Sequence, residues 1–425
     1  MSASVLLLTA GFAALVTLGV PFAIAIGVVV TLVLVVVDME PAFLAQQLVA
    51  GSQSFSLLAI PLFMLAGELM TAGGLSQRLI DVAAVLVRHR TGGLAMVAVL
   101  AALVFSAISG SAPATTAAIG AIVIPAMAAA GYNKAFAAAI AVSAGVLGPL
   151  IPPSIAFVIW GIVAEQSIGK LFLSGIVPGF AIAAGLLVVC YVHAKRNKVP
   201  KQPRASWAET RAAFAHGKWA LMSPLVVLGG IYGGIFTPTE AAGISCIYAV
   251  VIGLFVERQM SFSALPDIVL RSVRTSAIVT AIIAVSAGFG VLIAQEQIAT
   301  GFATWLASHV TEKWMALAGL NIAFFLLAAV MDEIAIMVIL GPMLIAIATK
   351  FGVDPIHFGA IIVTNVAIGM AAPPIGYCLF VGMAISGLSL TQISRAIWPH
   401  IIVMLIVLFL TTYIPSFALM FVTGK

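Results

Sequence analysis

"GPLIPPSI", residues 148–155, is the stretch that decides the fold. It sits inside an apolar run, 135–164, that exceeds the roughly 20 residues a membrane crossing needs. Pro149, Pro152 and Pro153 lack an N–H, and a helix interior rejects each by ~3 kcal/mol or more. A crossing that had to be one continuous helix would not carry three of them at mid-depth. The run therefore reads as two half-helices joined by an extended break.

The composition sets the solvent. Of 425 residues, 63% are hydrophobic and 8% charged, and the mean hydropathy is +1.23. Water-soluble domains carry about 25% charged residues, so no soluble core would hide this much apolar surface. The chain reads as an all-α polytopic membrane protein. The net charge of +5 does not point to nucleic acid, because the basic residues lie between apolar runs. "MSASVLLLTAG", residues 1–11, has no basic leader and the apolar run continues past it, so a cleaved signal peptide is not expected. Cys190, Cys246 and Cys378 stand alone in apolar segments, without paired or metal-ligand spacing, and read as small core residues.

Ten crossings are predicted, near 3–20, 21–37, 54–73, 133–165, 170–193, 219–236, 239–256, 275–296, 355–386 and 396–421. Two further segments, 92–130 and 314–349, each have two apolar arms around a polar or acidic middle. They read as re-entrant hairpins, which need a surround of protein or a water-filled cavity. Stretches 74–90 and 297–312 mix apolar and polar residues at helical spacing and read as interfacial arm helices beside the hairpins.

The break recurs. Sliding 131–154 onto 352–375 matches seven of 24 positions, including Gly148 with Gly369, Pro152 with Pro373 and Pro153 with Pro374. Pro21 pairs with Pro238 and Pro125 with Pro342 at a slightly shorter shift. The chain therefore divides into a first repeat, 1–193, a basic linker, 194–218, and a second repeat, 219–425. Five crossings per repeat is an odd number, so the repeats are inverted relative to each other. With the linker in the cytoplasm, every Lys and Arg except Lys170, Lys313, Lys350 and Lys425 falls on that side, as the positive-inside rule requires. Both termini then face outward.

Inverted repeats with interrupted helices near the midplane are the architecture of secondary transporters. Residues before a proline leave the helical region, so the breaks expose carbonyls that suit a small hard cation. The expected Na+ ligands are carbonyls of Gly148, Ile151 and Pro153 in the first break and of Gly369 and Ala372 in the second. Hydroxyls of Ser106 and Ser109 in the first tip, "FSAISGSAPATTAA", 105–118, complete the first site. Ser111, Thr115 and Thr116 of that tip, with Ser154 and Asn365, are the expected substrate contacts. Asn365 reads equally well as a bridge between helices. The second tip, "AAVMDEIAIMV", places Asp332 beside Glu333, and an acid within the membrane marks function. Asp332 is taken as the residue facing the cation. Glu333, about 100° further round the helix, is expected to play the lesser part.

These residues resemble a known family. "FSLLAIPLFMLAGELMTAGGLSQRL", "SGSAPATTAA", "LGPLIPPSI", "GGIFTPTEAAG", "MDEIAIMVILGPML", "GVDPIHFG" and "APPIGYCLFV" resemble, in order and spacing, the large (M) subunit of TRAP transporters. The resemblance implies a sodium-coupled, ATP-independent importer in a bacterial inner membrane. It implies an organic-acid substrate delivered by a periplasmic binding protein, a separate four-span (Q) subunit, and an elevator motion of hairpins and broken helices against a scaffold. One departure stands out. Many relatives carry Ala-Asp-Thr in the first tip, where this chain has Ala114-Thr115-Thr116.

Two other readings remain at this stage. One is a stand-alone sodium–dicarboxylate symporter of the related ion-transporter superfamily, which would need no binding protein. The other is an intramembrane hydrolase with Ser109 as nucleophile and His309 or His357 as base.

Overall fold

In a computed structural model of the chain, residues 3–40, 42–310 and 312–422 are described. Lys425 and the terminal residues of the orientation argument lie outside them. Among the described residues every regular element is a helix. Seven helices among the described residues are long and apolar enough to cross a membrane: Phe55–Ala72, Ala112–Ala129, Ile168–Arg196, Pro238–Val256, Phe262–Gln295, Glu333–Lys350 and Leu390–Tyr413. Shorter apolar helices complete the set, among them the half-helices around both breaks.

Both hairpin segments are pairs of helices, and their outgoing arms are longer than the sequence reading allowed, each long and apolar enough to cross. Gly93–Ser109 and Ala112–Ala129 lie side by side, joined by Gly110 and Ser111. Lys313–Ala328 and Glu333–Lys350 form the second pair. The arm helices are Leu75–Val87 and Ile298–His309.

Several bounds differ from the sequence reading, each for a local reason. The crossing expected at 219–236 starts inside the basic linker, at Trp207, because Ser206 and Glu209 form a complete capping box. The crossing expected at 275–296 begins at Leu265, where Pro266 and Asp267 fill first-turn positions that tolerate them. The last crossing, expected at 396–421, is Leu390–Tyr413 followed by a separate turn, Pro415–Leu419. Pro415 cannot donate to the preceding turn. Between the second and third crossings lies a helix the hydropathy pattern left out, Ala42–Ser52. It rests on Leu265–Gln295 through Gly51, where any Cβ would stand 2.6 Å from that of Ala287.

Two groups of helices result. In one, Pro238–Val251 packs on Ala59–Ala72, Trp207–Tyr232 on Leu75–Val87, and Leu265–Gln295 on Phe22–Val36, Ala42–Ser52 and Ala59–Ala72. The other holds the hairpins, the broken helices and the last helix of each half, and its packing is crossed. Ile155–Val163 lies on Glu333–Lys350, and Tyr377–Ser386 on Ala112–Ala129. Ile168–Arg196 lies on Pro355–Gly369, and Leu390–Tyr413 on Lys134–Gly145. Glycines permit the close approaches: a Cβ on Gly382 would meet Val142 at 2.6 Å, and one on Gly341 would strike Val163. Three ion pairs among the described residues join elements before the linker to elements after its start: Arg78–Glu257 at 2.7 Å, Arg88–Glu209 at 2.8 Å and Arg271–Glu68 at 3.8 Å.

Candidate functional site

Each break docks on the tip of the hairpin that precedes it. In the first half the Lys134–Gly145 helix stops, and residues 146–154 cross to Ile155–Val163. The Ile155 N–H donates to the Gly110 carbonyl at the hairpin tip, 3.3 Å away. Gly110 is at φ 61°, a left-handed value that ends the incoming helix. A Cβ there would stand 2.7 Å from the Pro153 oxygen. A Cβ on Gly148 would stand 2.5 Å from the Ser111 carbonyl oxygen. Both glycines are therefore fixed by close backbone approach.

The second half repeats the contact. The Gly376 N–H donates to the Ala329 carbonyl at 2.8 Å, and a Cβ on Gly369 would strike Ala328. Both Pro-Pro bonds, Pro152–Pro153 and Pro373–Pro374, are cis.

The expected carbonyl ligands fall into two sets. Those of Gly148, Ile151 and Pro153 receive no hydrogen bond from the described residues, and neither does that of Ala372. The Gly369 carbonyl accepts the Ala372 N–H at 2.9 Å, leaving one lone pair. In the first tip Ser106 Oγ is fully buried with no partner. The Ser109 and Thr115 hydroxyls bond each other at 2.8 Å. Thr116 Oγ1 is fully buried and makes no hydrogen bond to oxygen or nitrogen; the Cys378 thiol of the other half lies beside it. Ser111 begins the outgoing helix in extended geometry.

Two expected substrate contacts are engaged elsewhere. Ser154 donates to the Pro149 carbonyl at 2.5 Å and accepts the Phe157 N–H, so it caps the second half-helix. Asn365 donates to the Asn321 carbonyl and to Asn321 Oδ1 at 2.9 and 3.0 Å, while Asn321 donates to Thr412. It bridges three helices, and its own Oδ1 stays without a donor. Thr364, which the sequence places beside Asn365 one turn before the second break, is fully buried and its hydroxyl also lacks a partner; Asn321 was not singled out from sequence. Asn321, a polar residue in mid-arm of an apolar hairpin, was the available signal.

The two acids of the second tip have different surroundings. Asp332 is the N-cap of Glu333–Lys350 and accepts the Ile334 N–H at 2.9 Å. Glu333 is 5% exposed, and its Oε2 is buried with no partner. Neither histidine of the hydrolase reading bonds Ser109: His309 contacts Ser308 and Trp305, and His357 contacts the Thr411 carbonyl.

Two hairpin tips docked on two interrupted helices, within a many-span helical protein, define the membrane-permease class. The crystal structure of the Alcanivorax borkumensis YdaH transporter shares this fold, with a TM-score of 0.61 over 88% of each chain at 17% identity. The chain belongs to the family described as "Tripartite ATP-independent periplasmic transporter, DctM component", whose sequence model matches residues 9–417. It is 43% identical over 376 residues to the C4-dicarboxylate TRAP transporter large permease protein DctM of Pseudomonas aeruginosa, covering 88% of each chain. It is 34% identical to the sialic acid TRAP transporter large permease protein SiaM of Vibrio cholerae over 89% of this chain and 88% of that one. The isethionate TRAP transporter permease protein DctMQ of Oleidesulfovibrio alaskensis is 41% identical over 96% of this chain, which spans 65% of that longer protein.

Proposed function

We propose that this chain is the large membrane subunit of a sodium-driven, ATP-independent importer of an organic acid. It works in a bacterial inner membrane with a separate four-span subunit and a periplasmic binding protein that delivers the substrate. The DctMQ relative, longer than this chain and named for two components, supports a partner of that kind. Related permeases named for C4-dicarboxylate and sialic acid support a carboxylate substrate.

The observation that carries the coupling is the pair of breaks. Unpaired carbonyls of Gly148, Ile151 and Pro153 lie in a break docked on the tip that holds Ser106 and Ser109. The residues present fit a sodium ion, whose hard charge takes oxygen ligands. Gly369 and Ala372 offer the corresponding carbonyls in the second half, and Asp332 adds negative charge at the second tip. At least two sodium ions per cycle then carry an organic dianion inward with zero or positive net charge. The hairpins and broken helices move together as an elevator against the group built on Pro238–Val256 and Phe262–Gln295. The substrate meets the hydroxyls of Ser111, Thr115 and Thr116.

Reconstitution with both partners tests this. Uptake is expected to rise steeply with an inward sodium gradient, and equal uptake in potassium or choline overturns the proposal. Uptake by this chain without a binding protein would favour the stand-alone symporter instead.

A further inference from the structure

Resting on that reading, we propose that Glu333 is itself a cation ligand, forming a site shared by the two halves that the break carbonyls alone do not supply. Burial is the first observation. Glu333 is 5% exposed, and Oε2 receives no hydrogen bond. No Lys, Arg or His pairs with it: the ion pairs of the described residues all lie elsewhere. An ionised carboxylate taken out of water without a partner costs several kcal/mol, so Glu333 is either protonated or matched by a positive charge beside it, and a bound cation supplies that charge in the proposed site.

The second observation is the company it keeps. Asp332 is the neighbouring charge that acts on Glu333, and the Cys378 thiol lies within its electrostatic reach. Cys378 in turn lies against Thr116, whose hydroxyl is fully buried and has this thiol, with no oxygen or nitrogen, beside it. Cys378 of the second broken helix thus touches a hydroxyl of the first hairpin and lies in the field of a carboxylate of the second. Gly145 keeps the space at Thr116 free, because any Cβ there would overlap that hydroxyl. Asp332 is less free for this role, since one of its oxygens accepts the Ile334 N–H, and it adds charge from the neighbouring position. Through Cys378, a cation held at Glu333 would then be felt at the first hairpin as well as the second.

The test uses the full chain in detergent and reads thermal unfolding as NaCl replaces choline chloride at constant ionic strength. For Glu333→Gln, which keeps shape and hydrogen-bonding capacity, the sodium concentration for half-maximal stabilisation should rise about tenfold or more, the worth of one charged contact. Asp332→Asn, which keeps its cap, should shift it by no more than about threefold. Thr116→Val should move it in the same direction as Glu333→Gln. A wild-type chain that sodium stabilises together with an unchanged Glu333→Gln titration overturns this assignment and leaves the sodium reading standing. A wild-type chain indifferent to sodium overturns both. If Glu333→Gln does not fold, Glu333→Asp takes its place, with a weaker sodium response expected and an unchanged one counting against the site.

Discussion

The two breaks share a sequence pattern and a docking contact, yet their surroundings are opposite. Residues 148–154 are buried throughout, whereas Pro374, Ile375 and Tyr377 of the second break are exposed. The cover over the first comes from small residues. A Cβ on Gly175 of Ile168–Arg196 would strike the Leu150 carbonyl, and a Cβ on Gly179 would stand 2.5 Å from the Ile151 side chain. The last helices of the two halves both start from a serine cap, Ser167 and Ser389. Aligned from those caps, Ile397 and Ile401 stand where the first half has Gly175 and Gly179. A Cβ on Gly67 of the Ala59–Ala72 helix would stand 3.4 Å from the Ser109 Cα of the first tip. At the second tip Val330 is 56% exposed. The difference teaches that one motif serves two states of access. The free carbonyls come from the motif, while exposure comes from the residues packed on it.

The largest expected effect falls on the closed side. Gly148→Ala forces a methyl onto the Ser111 backbone and should cost ~1–3 kcal/mol through overpacking. Sodium-driven uptake should be lost, and differential scanning calorimetry should show the drop in stability. A fully active, fully stable Gly148→Ala protein would show that the first break is not held closed.

A chemical probe sharpens the comparison. In a background with Cys190, Cys246 and Cys378 replaced, single cysteines at Ile375 and Ile151 report the two breaks. Thiol reactivity follows exposure, so a water-soluble maleimide should label position 375 at least about tenfold faster than 151. Comparable rates would erase the asymmetry. Added sodium should slow labelling at 375 if the second tip closes over a bound ion.

The smallest effect is expected far from both breaks. Arg88 donates to Glu209 at 2.8 Å and to the Pro203 carbonyl at 3.1 Å. Hydrogen bonding from Ser206 and the nearby Arg88 hold the Glu209 carboxyl below its ordinary range. The lowered value means this ionised capping contact is kept at neutral pH and lost as acid titrates the carboxylate. Arg88→Gln should cost no more than about 1 kcal/mol, as exposed ion pairs do, and less in high salt. A large loss of stability in a chemical melt would mean that the linker contributes to both sides of the comparison.

Much of this arrangement was legible in the sequence because it is built from residues with strict backbone rules. Pro152, Pro153, Pro373 and Pro374 announced the breaks, and Gly110 with Pro113 announced the first tip. The Ala42–Ser52 helix was not legible, since Gln46, Gln47 and Gly51 dilute its hydropathy and its support comes from a helix more than two hundred residues away. The start of Trp207–Tyr232 was obscured by charge, although Ser206 and Glu209 spelled out the capping box. At the site, residue type was readable but commitment was not. Nothing local distinguishes the cap at Asp332 from the unpartnered carboxylate at Glu333, or Ser154, engaged twice, from Ser106, engaged by nothing. That distinction depends on which neighbour arrives from the other half.

The crossed packing also has a consequence for how the protein is made. Ala112–Ala129 leaves the ribosome long before Tyr377–Ser386, the helix that covers it. At roughly 5–20 residues per second, tens of seconds separate the two. During that interval the first hairpin sits in the membrane without its final neighbour, and Thr116 without Cys378 beside it. The first break does not wait, because Gly175 and Gly179 belong to its own half and are translated soon after it. Its polar backbone is roofed while the second half is still being synthesised. The second break is made last and keeps its opening to the surroundings, so the order of synthesis coincides with the order of enclosure.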